Sequence, residues 1–177
     1  MKDFSPVYLP VGVPTFHLES AENLFERSIK LLQDADPDFI VPDEMLLSVD
    51  AMSRYISGLE PDFIVFQDLT FANAAYMSEV ISRFDCPVLL WTLREPVIDG
   101  TRLRLNSLTG AYSAANAMRS YGRTDYEYVF GSPEEDAVIG KIKACVKAAR
   151  IKKEMQGLRL AAVREPPQGF DFGRARV

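Results

Sequence analysis

The chain has 177 residues, 47% of them hydrophobic and 25% charged, with a net charge of −5. A chain of that size and composition folds as one domain that buries about 70% of its unfolded surface, which argues against disorder. Twenty-five acidic against 20 basic side chains leave no cationic excess to displace counterions from a phosphate backbone, so a nucleic-acid partner is not expected.

Apolar runs of strand length alternate with helical patterns from the start of the chain. The first strand is expected over 6–13. A helix over 19–32 follows, in which Leu24, Ile29, Leu31 and Leu32 recur among charges at near-helical spacing. Further strands are expected over 39–41, 63–66, 88–92 and 126–130, and helices over 49–58, 71–84, 108–121 and 133–155. In the last helix Ser132 reads as the N-cap, Pro133 as the first helical residue and Glu135 as the third member of a capping box, with Lys152 and Lys153 matching the dipole at the far end. Pro37-Asp38-Phe39-Ile40-Val41 recurs 24 residues on as Pro61-Asp62-Phe63-Ile64-Val65. Each copy stops a helix at its proline and launches an apolar strand, and both strands are expected inside the sheet. Beyond Gly157 a strand over 158–163 runs into Pro166-Pro167-Gln168-Gly169, which reads as the stub of a following domain. The expected organisation is a domain over 1–156 and a stub over 157–177. The fold class is α/β, a three-layer Rossmann or flavodoxin-like sandwich with a central parallel sheet.

The charge is unevenly spread, since residues 1–136 carry 22 acidic and 10 basic side chains and residues 137–177 carry 3 and 10. Something acidic is expected against the basic end. Cys86 and Cys145, 59 residues apart, make neither a redox pair nor a disulfide framework and read as packing in a reducing compartment. No stretch is long enough for a signal core or a membrane span, so a cytoplasmic protein without a membrane partner is expected. The single histidine, His17, cannot build a His-rich metal site, and no metal or cofactor site is expected in this chain.

In an open parallel sheet, ligands bind beyond the carboxyl ends of the strands. The loops expected there carry Phe16 and His17, then Thr70 and Phe71, then Arg94 after Trp91: aromatic faces, hydroxyls and a guanidinium suited to a polyhydroxylated ligand. Each has a structural alternative. His17 can be a surface histidine and Trp91 strand packing. Arg94 and Glu95 can pair with other groups in a solvated loop, and residues 106–110 can cap the following helix.

Four segments in register resemble the N-terminal region of the L-fucose and L-arabinose isomerase family. They are Phe63-Ile64-Val65-Phe66-Gln67-Asp68-Leu69-Thr70-Phe71, Pro87-Val88-Leu89-Leu90-Trp91-Thr92, Asn106-Ser107-Leu108-Thr109-Gly110-Ala111, and Arg159-Leu160-Ala161-Ala162-Val163 before Pro166-Pro167-Gln168-Gly169-Phe170. The resemblance implies an aldose–ketose isomerase that uses manganese and assembles as a homo-oligomer. It implies a Rossmann-like first domain that shares a sugar substrate with a neighbouring subunit, and metal-binding residues in later domains. This chain alone is then inactive, and its part is a substrate rim of Phe16, His17, Thr70, Phe71, Trp91 and Arg94. The other reading is a self-sufficient flavodoxin-like module that binds a small metabolite at the same strand ends.

Overall fold

The computed structural model describes residues 4–156, 158, 159, 168 and 169. Four parallel strands, β1 (Pro6–Val11), β2 (Phe63–Asp68), β3 (Val88–Thr92) and β4 (Tyr126–Phe130), form one sheet in the order β1-β2-β3-β4. Five helices connect and flank them: α1 (Leu18–Ala35), α2 (Val49–Tyr55), α3 (Ala74–Arg83), α4 (Ser107–Ser120) and α5 (Asp136–Met155). The α/β sandwich expected from the alternating pattern is therefore the observed fold.

Alternation along each strand divides the core in two. Tyr8, Val65, Leu89, Trp91 and Val129 face Leu24, Phe25 and Leu32 of α1 and Val138, Ile142 and Val146 of α5. Val7, Leu9, Ile64, Phe66 and Leu90 face Met52 of α2, Met77 and Val80 of α3, and Ala114 and Met118 of α4. Strands covered on both faces must be apolar throughout, and every residue of β1, β2 and β3 is buried. Among their side chains Gln67 is an exception to apolarity, and it is satisfied. It accepts from the Tyr8 hydroxyl, and its amide donates to Ser28 Oγ of α1 at 3.0 Å. Burial pushes the Tyr8 hydroxyl far above the ordinary tyrosine range.

The two copies of the repeated segment part company. Asp62–Val65 leads into β2, which lies between β1 and β3 as expected. Residues 39–41 do not form an interior strand. Ile40 makes a single parallel bridge to Val7 on the outer edge of β1, with Tyr8 N donating to Ile40 O at 3.0 Å and Ile40 N to Pro6 O at 2.8 Å. Prolines at 37 and 42 leave too few amides for a longer ladder. The chain regains the edge only at Leu46, opposite Val11. Right-handed crossovers place helices for opposite directions of travel on opposite layers. That division is present: α1 leads outward from β1 to Ile40 on one layer, and α3 and α4 lead from β2 to β4 on the other.

One further expectation is revised. The predicted helix start at Pro133 is a turn, and α5 begins at Asp136 with Glu135 as its N-cap. Half of the capping box survives, since Ser132 N donates to Glu135 Oε1 at 2.7 Å. The predicted strand over 158–163 lies largely outside the described residues. The acidic partner of the basic end is the chain's own helix-to-strand joints. Arg150 pairs with Asp36 at 2.5 Å and Asp38 at 3.4 Å, and Lys153 with Asp62 at 2.6 Å. The aspartates of both repeats thus hold the end of α5 under the amino ends of the strands.

Candidate functional site

Because all strands are parallel, their carboxyl ends share one edge, and the loops over 12–17, 69–73, 93–106 and 131–135 meet there. They are knitted together by polar contacts. Val13 N donates to Thr70 Oγ1 at 2.9 Å, and the Tyr76 hydroxyl donates to Gly12 O at 2.8 Å. A Cβ on Gly12 would stand 2.6 Å from Thr70 Oγ1, so only glycine lets the first loop pass the second this closely. His17 N donates to Arg104 O at 3.0 Å and Phe71 N to Leu105 O at 2.9 Å, so the third loop crosses over the first two. Glu95 holds that loop closed by accepting the amides of Arg104, Leu105 and Asn106 at 3.1, 3.2 and 2.5 Å. Asn106 takes a left-handed φ of 53°, a conformation in which asparagine is enriched. Its side chain accepts from the Thr109 hydroxyl at 2.7 Å rather than from a helix amide.

The six residues expected at the rim fall into three groups. Phe16 and Phe71 meet, with ring centroids 6.3 Å apart and planes tilted by 53°. His17 and Arg94 line one open cleft of about 540 Å3 together with Ser20, Asn23, Arg27 and Arg104. Thr70 and Trp91 are fully buried and serve the scaffold. Trp91 lies inside β3 and donates its indole N–H to Gly131 O at 3.0 Å. A β3 side chain at that register faces the α1/α5 layer, which is why it cannot join the rim. His17 is the N-cap of α1. Its Nδ1 accepts from Ser20 N at 3.2 Å and lies 2.8 Å from Ser20 Oγ.

The cations of this edge, of which Arg27, Arg94 and Arg104 line the cleft, are unequally committed. Arg94 forms a bidentate pair with Glu135, 2.9 Å at both contacts, and lies 4.8 Å over the Phe130 ring. That guanidinium, with the Ser132 amide, brings the Glu135 carboxyl down to about 2. Arg27 is held by Glu134, which it draws below the usual carboxylate range. Among the described residues Arg102 and Arg104 have no carboxylate within ion-pair distance. Arg102 instead lies 4.7 Å over the Phe16 ring. Sequence reasoning passed over both, although the pattern Arg102-Leu103-Arg104 within a long loop at a strand's carboxyl end was the available signal.

Asp68, the last residue of β2, was also missed. It is fully buried, and neither carboxylate oxygen has a hydrogen-bond partner among the described residues. Burial raises its pKa well above the ordinary aspartate value. Its backbone oxygen accepts from Ser107 Oγ, which itself accepts from Leu93 N at 2.8 Å. Gly110 of α4 packs on the carboxyl group so closely that a Cβ there would lie 2.4 Å from Asp68 Oδ1. Helix propensity alone favours alanine over glycine by about 1 kcal/mol. Gly110→Ala is nevertheless expected to destabilise the fold by about 1–3 kcal/mol, the usual consequence of overpacking, and Asp68→Ala in the same chain should recover most of that loss. Urea unfolding of the single and double variants checks this.

Chemically, the edge offers an aromatic pair, guanidinium groups, hydroxyls and an amide, group types suited to an anionic, hydroxylated ligand. Among the described residues no three side chains of His, Cys, Asp and Glu gather into a metal site, so those residues alone offer no ligand set for the manganese that the family resemblance implies. No described helix is long and apolar enough to cross a membrane.

No family model matches the chain. It is 54% identical over 175 residues to the sulfoquinovose isomerase of Clostridium sp. (strain MSTE9), covering 99% of this chain and 39% of that protein. The sulfoquinovose isomerase of Priestia aryabhattai is 33% identical over 178 residues, covering 99% and 40%, and that of Alkalicoccus urumqiensis 34% identical over 168 residues, covering 94% and 37%. The chain thus spans about two fifths of the length of the curated relatives it matches. Among solved structures, oxidised flavodoxin 1 from Bacillus cereus covers 84% of this chain and 97% of its own at a TM-score of 0.41 and 8% identity. Over nearly all its length, then, the chain is similar to part of sugar isomerases.

Proposed function

We propose that this chain is the N-terminal substrate-rim domain of an L-fucose-isomerase-like aldose–ketose isomerase whose substrate is sulfoquinovose, a hexose carrying a sulfonate. The observation that carries this reading is the 54% identity along the whole chain to part of an isomerase named for that sugar. The geometry supports it. Phe16 and Phe71 offer aromatic faces to the C–H face of a pyranose, and Arg102 and Arg104 hold guanidinium groups that no carboxylate among the described residues approaches within ion-pair distance, which suits a sulfonate. On this reading, proton transfer between C1 and C2, and the manganese that assists it, belong to parts of the relatives that this chain does not span. The chain by itself is inactive and shares its sugar with a neighbouring subunit of a homo-oligomer.

A chimera in which this chain replaces the matching segment of the Clostridium protein tests the proposal. It is expected to convert sulfoquinovose to the ketose with added manganese. In that chimera Arg102→Ala should lower kcat/KM about 10- to 100-fold, the range expected for losing a hydrogen bond to a charged group. Phe16→Ala should lower it about tenfold. A folded chimera that isomerises no aldose, or variants whose kinetics match the parent chimera, would reject the reading.

A further inference from the structure

Among the described residues, β4 forms an open edge of the sheet. Gly131 N donates to Thr92 O at 3.0 Å, so the odd-numbered residues of β4 turn their backbone groups toward β3. Tyr126, Tyr128 and Phe130, alternating with them, turn theirs outward. Among the described residues those outward amides and carbonyls have no backbone partner, since β4 pairs only with β3. The same three residues put their side chains on the α4 layer, where Tyr128 is 41% and Phe130 38% exposed. Leu108 and Tyr112 of α4 are also exposed on that layer. Two of the usual protections are missing from the edge: β4 contains no proline and no lysine. Its one charge, Glu127, faces the other layer and is paired with Lys141 at 2.5 Å.

The chain's own continuation is a poor occupant for this edge. α5 packs with α1 on one layer, whereas the helices that carry the chain toward β4, α3 and α4, lie on the opposite one. A strand following α5 could reach the outer side of β4 in parallel only through a left-handed crossover, which such sheets almost never contain.

We propose that a second copy of this chain pairs with β4 antiparallel, about a two-fold axis passing beside Tyr128. In that register Tyr128 lies opposite Tyr128 of the other copy, and Tyr126 opposite Phe130. These are the residues whose backbone groups point outward, so all of them fall in hydrogen-bonded pairs and about six interchain bonds form. Their side chains make one continuous cross-strand ladder of aromatic rings. On the other face Glu127 meets Val129, so no like charges stand opposite each other. A two-residue slip would set Glu127 against its own copy, which disfavours the neighbouring register. This inference does not rest on the sugar reading.

Sedimentation velocity of the 177-residue chain over a concentration series tests it, and a reversible dimer is the expected result. Tyr128→Lys, which places two ammonium groups at the axis, should weaken that dimer at least about a hundredfold while far-UV circular dichroism stays unchanged. Independently, in a Cys145→Ala background, Tyr128→Cys should form an intermolecular disulfide on mild oxidation. Opposed residues of a hydrogen-bonded antiparallel pair lie about 5.5 Å apart at Cα, within disulfide reach. Glu127→Cys, which has no copy of itself opposite, should not cross-link. A chain that stays monomeric throughout, a dimer untouched by Tyr128→Lys, or equal cross-linking at 127 and 128 would overturn the proposal.

Discussion

Trp91→Ala is expected to cost about 3–5 kcal/mol of folding stability, the range for truncating a buried aromatic residue. Trp91 is the largest of the fully buried side chains, and it packs in the core shared by α1 and α5. Its indole N–H also holds the Gly131 carbonyl at the turn into α5. That turn has little freedom: Gly131 has φ 143°, and a Cβ on it would stand 2.8 Å from Val138 Cγ2 and 2.9 Å from the Glu135 carboxyl. Alanine leaves a cavity and an unsatisfied carbonyl together. Trp91→Phe keeps most of the ring and loses only the hydrogen bond, so a smaller loss of about 1–3 kcal/mol is expected. Domains of this size have about 5–15 kcal/mol in total, so the alanine variant should show a much lower urea midpoint. If it unfolds within about 1 kcal/mol of the parent, the error range of the measurement, Trp91 does not hold the core, and a ligand-facing role must be reconsidered.

Asp68→Asn is expected to remove a pH dependence that the parent protein carries. The Asp68 carboxyl is buried without a partner among the described residues, so its folded pKa lies above its unfolded value. The folded state therefore binds the proton more tightly. The stabilisation is fully present below the unfolded aspartate pKa and is lost as pH rises toward the raised folded value. Within that window the slope reaches about 1.4 kcal/mol per pH unit. Asparagine is nearly the same shape and cannot ionise, so the variant should lack this slope and gain on the parent as pH increases. Unfolding free energies measured from pH 4 upward would show two curves that diverge. Parallel curves would mean that Asp68 has a partner in solution.

The elements of this fold were legible because its helices are amphipathic and its inner strands apolar. α1, with Leu24, Leu31 and Leu32 buried, and β3, buried at every position, could hardly be read otherwise. The edge at Ile40 was misread because Asp-Phe-Ile-Val is the same text at residues 38–41 and 62–65. What separates the copies is not the apolar run but its neighbours. Pro42 cuts the first short, whereas Gln67 and Asp68 let the second continue. The start of α5 slipped by three residues because the Glu135 carboxylate serves both the Ser132 amide and Arg94, a side chain 41 positions away.

At the candidate site, the alternation of strand and helix was enough to place Phe16, His17, Phe71 and Arg94 at one edge, since parallel strands bring their carboxyl ends together. Residue type and order carry that information, and they also carry the aromatic and cationic character of the loops. Whether a given side chain faces the ligand edge or the core depends on strand register and on which layer covers it. Trp91 and Thr70 look outward in the sequence and are buried in the fold. Asp68 reads as an ordinary strand-end acid and is buried against Gly110, 42 residues later in the chain. Arg102 is one of several loop arginines until the third loop folds across the first and sets it over Phe16. Local pattern settles which elements form, because periodicity and breakers act over a few residues. Orientation, burial and ion pairing depend on contacts between distant segments, and only the assembled sheet and its two helical layers decide them.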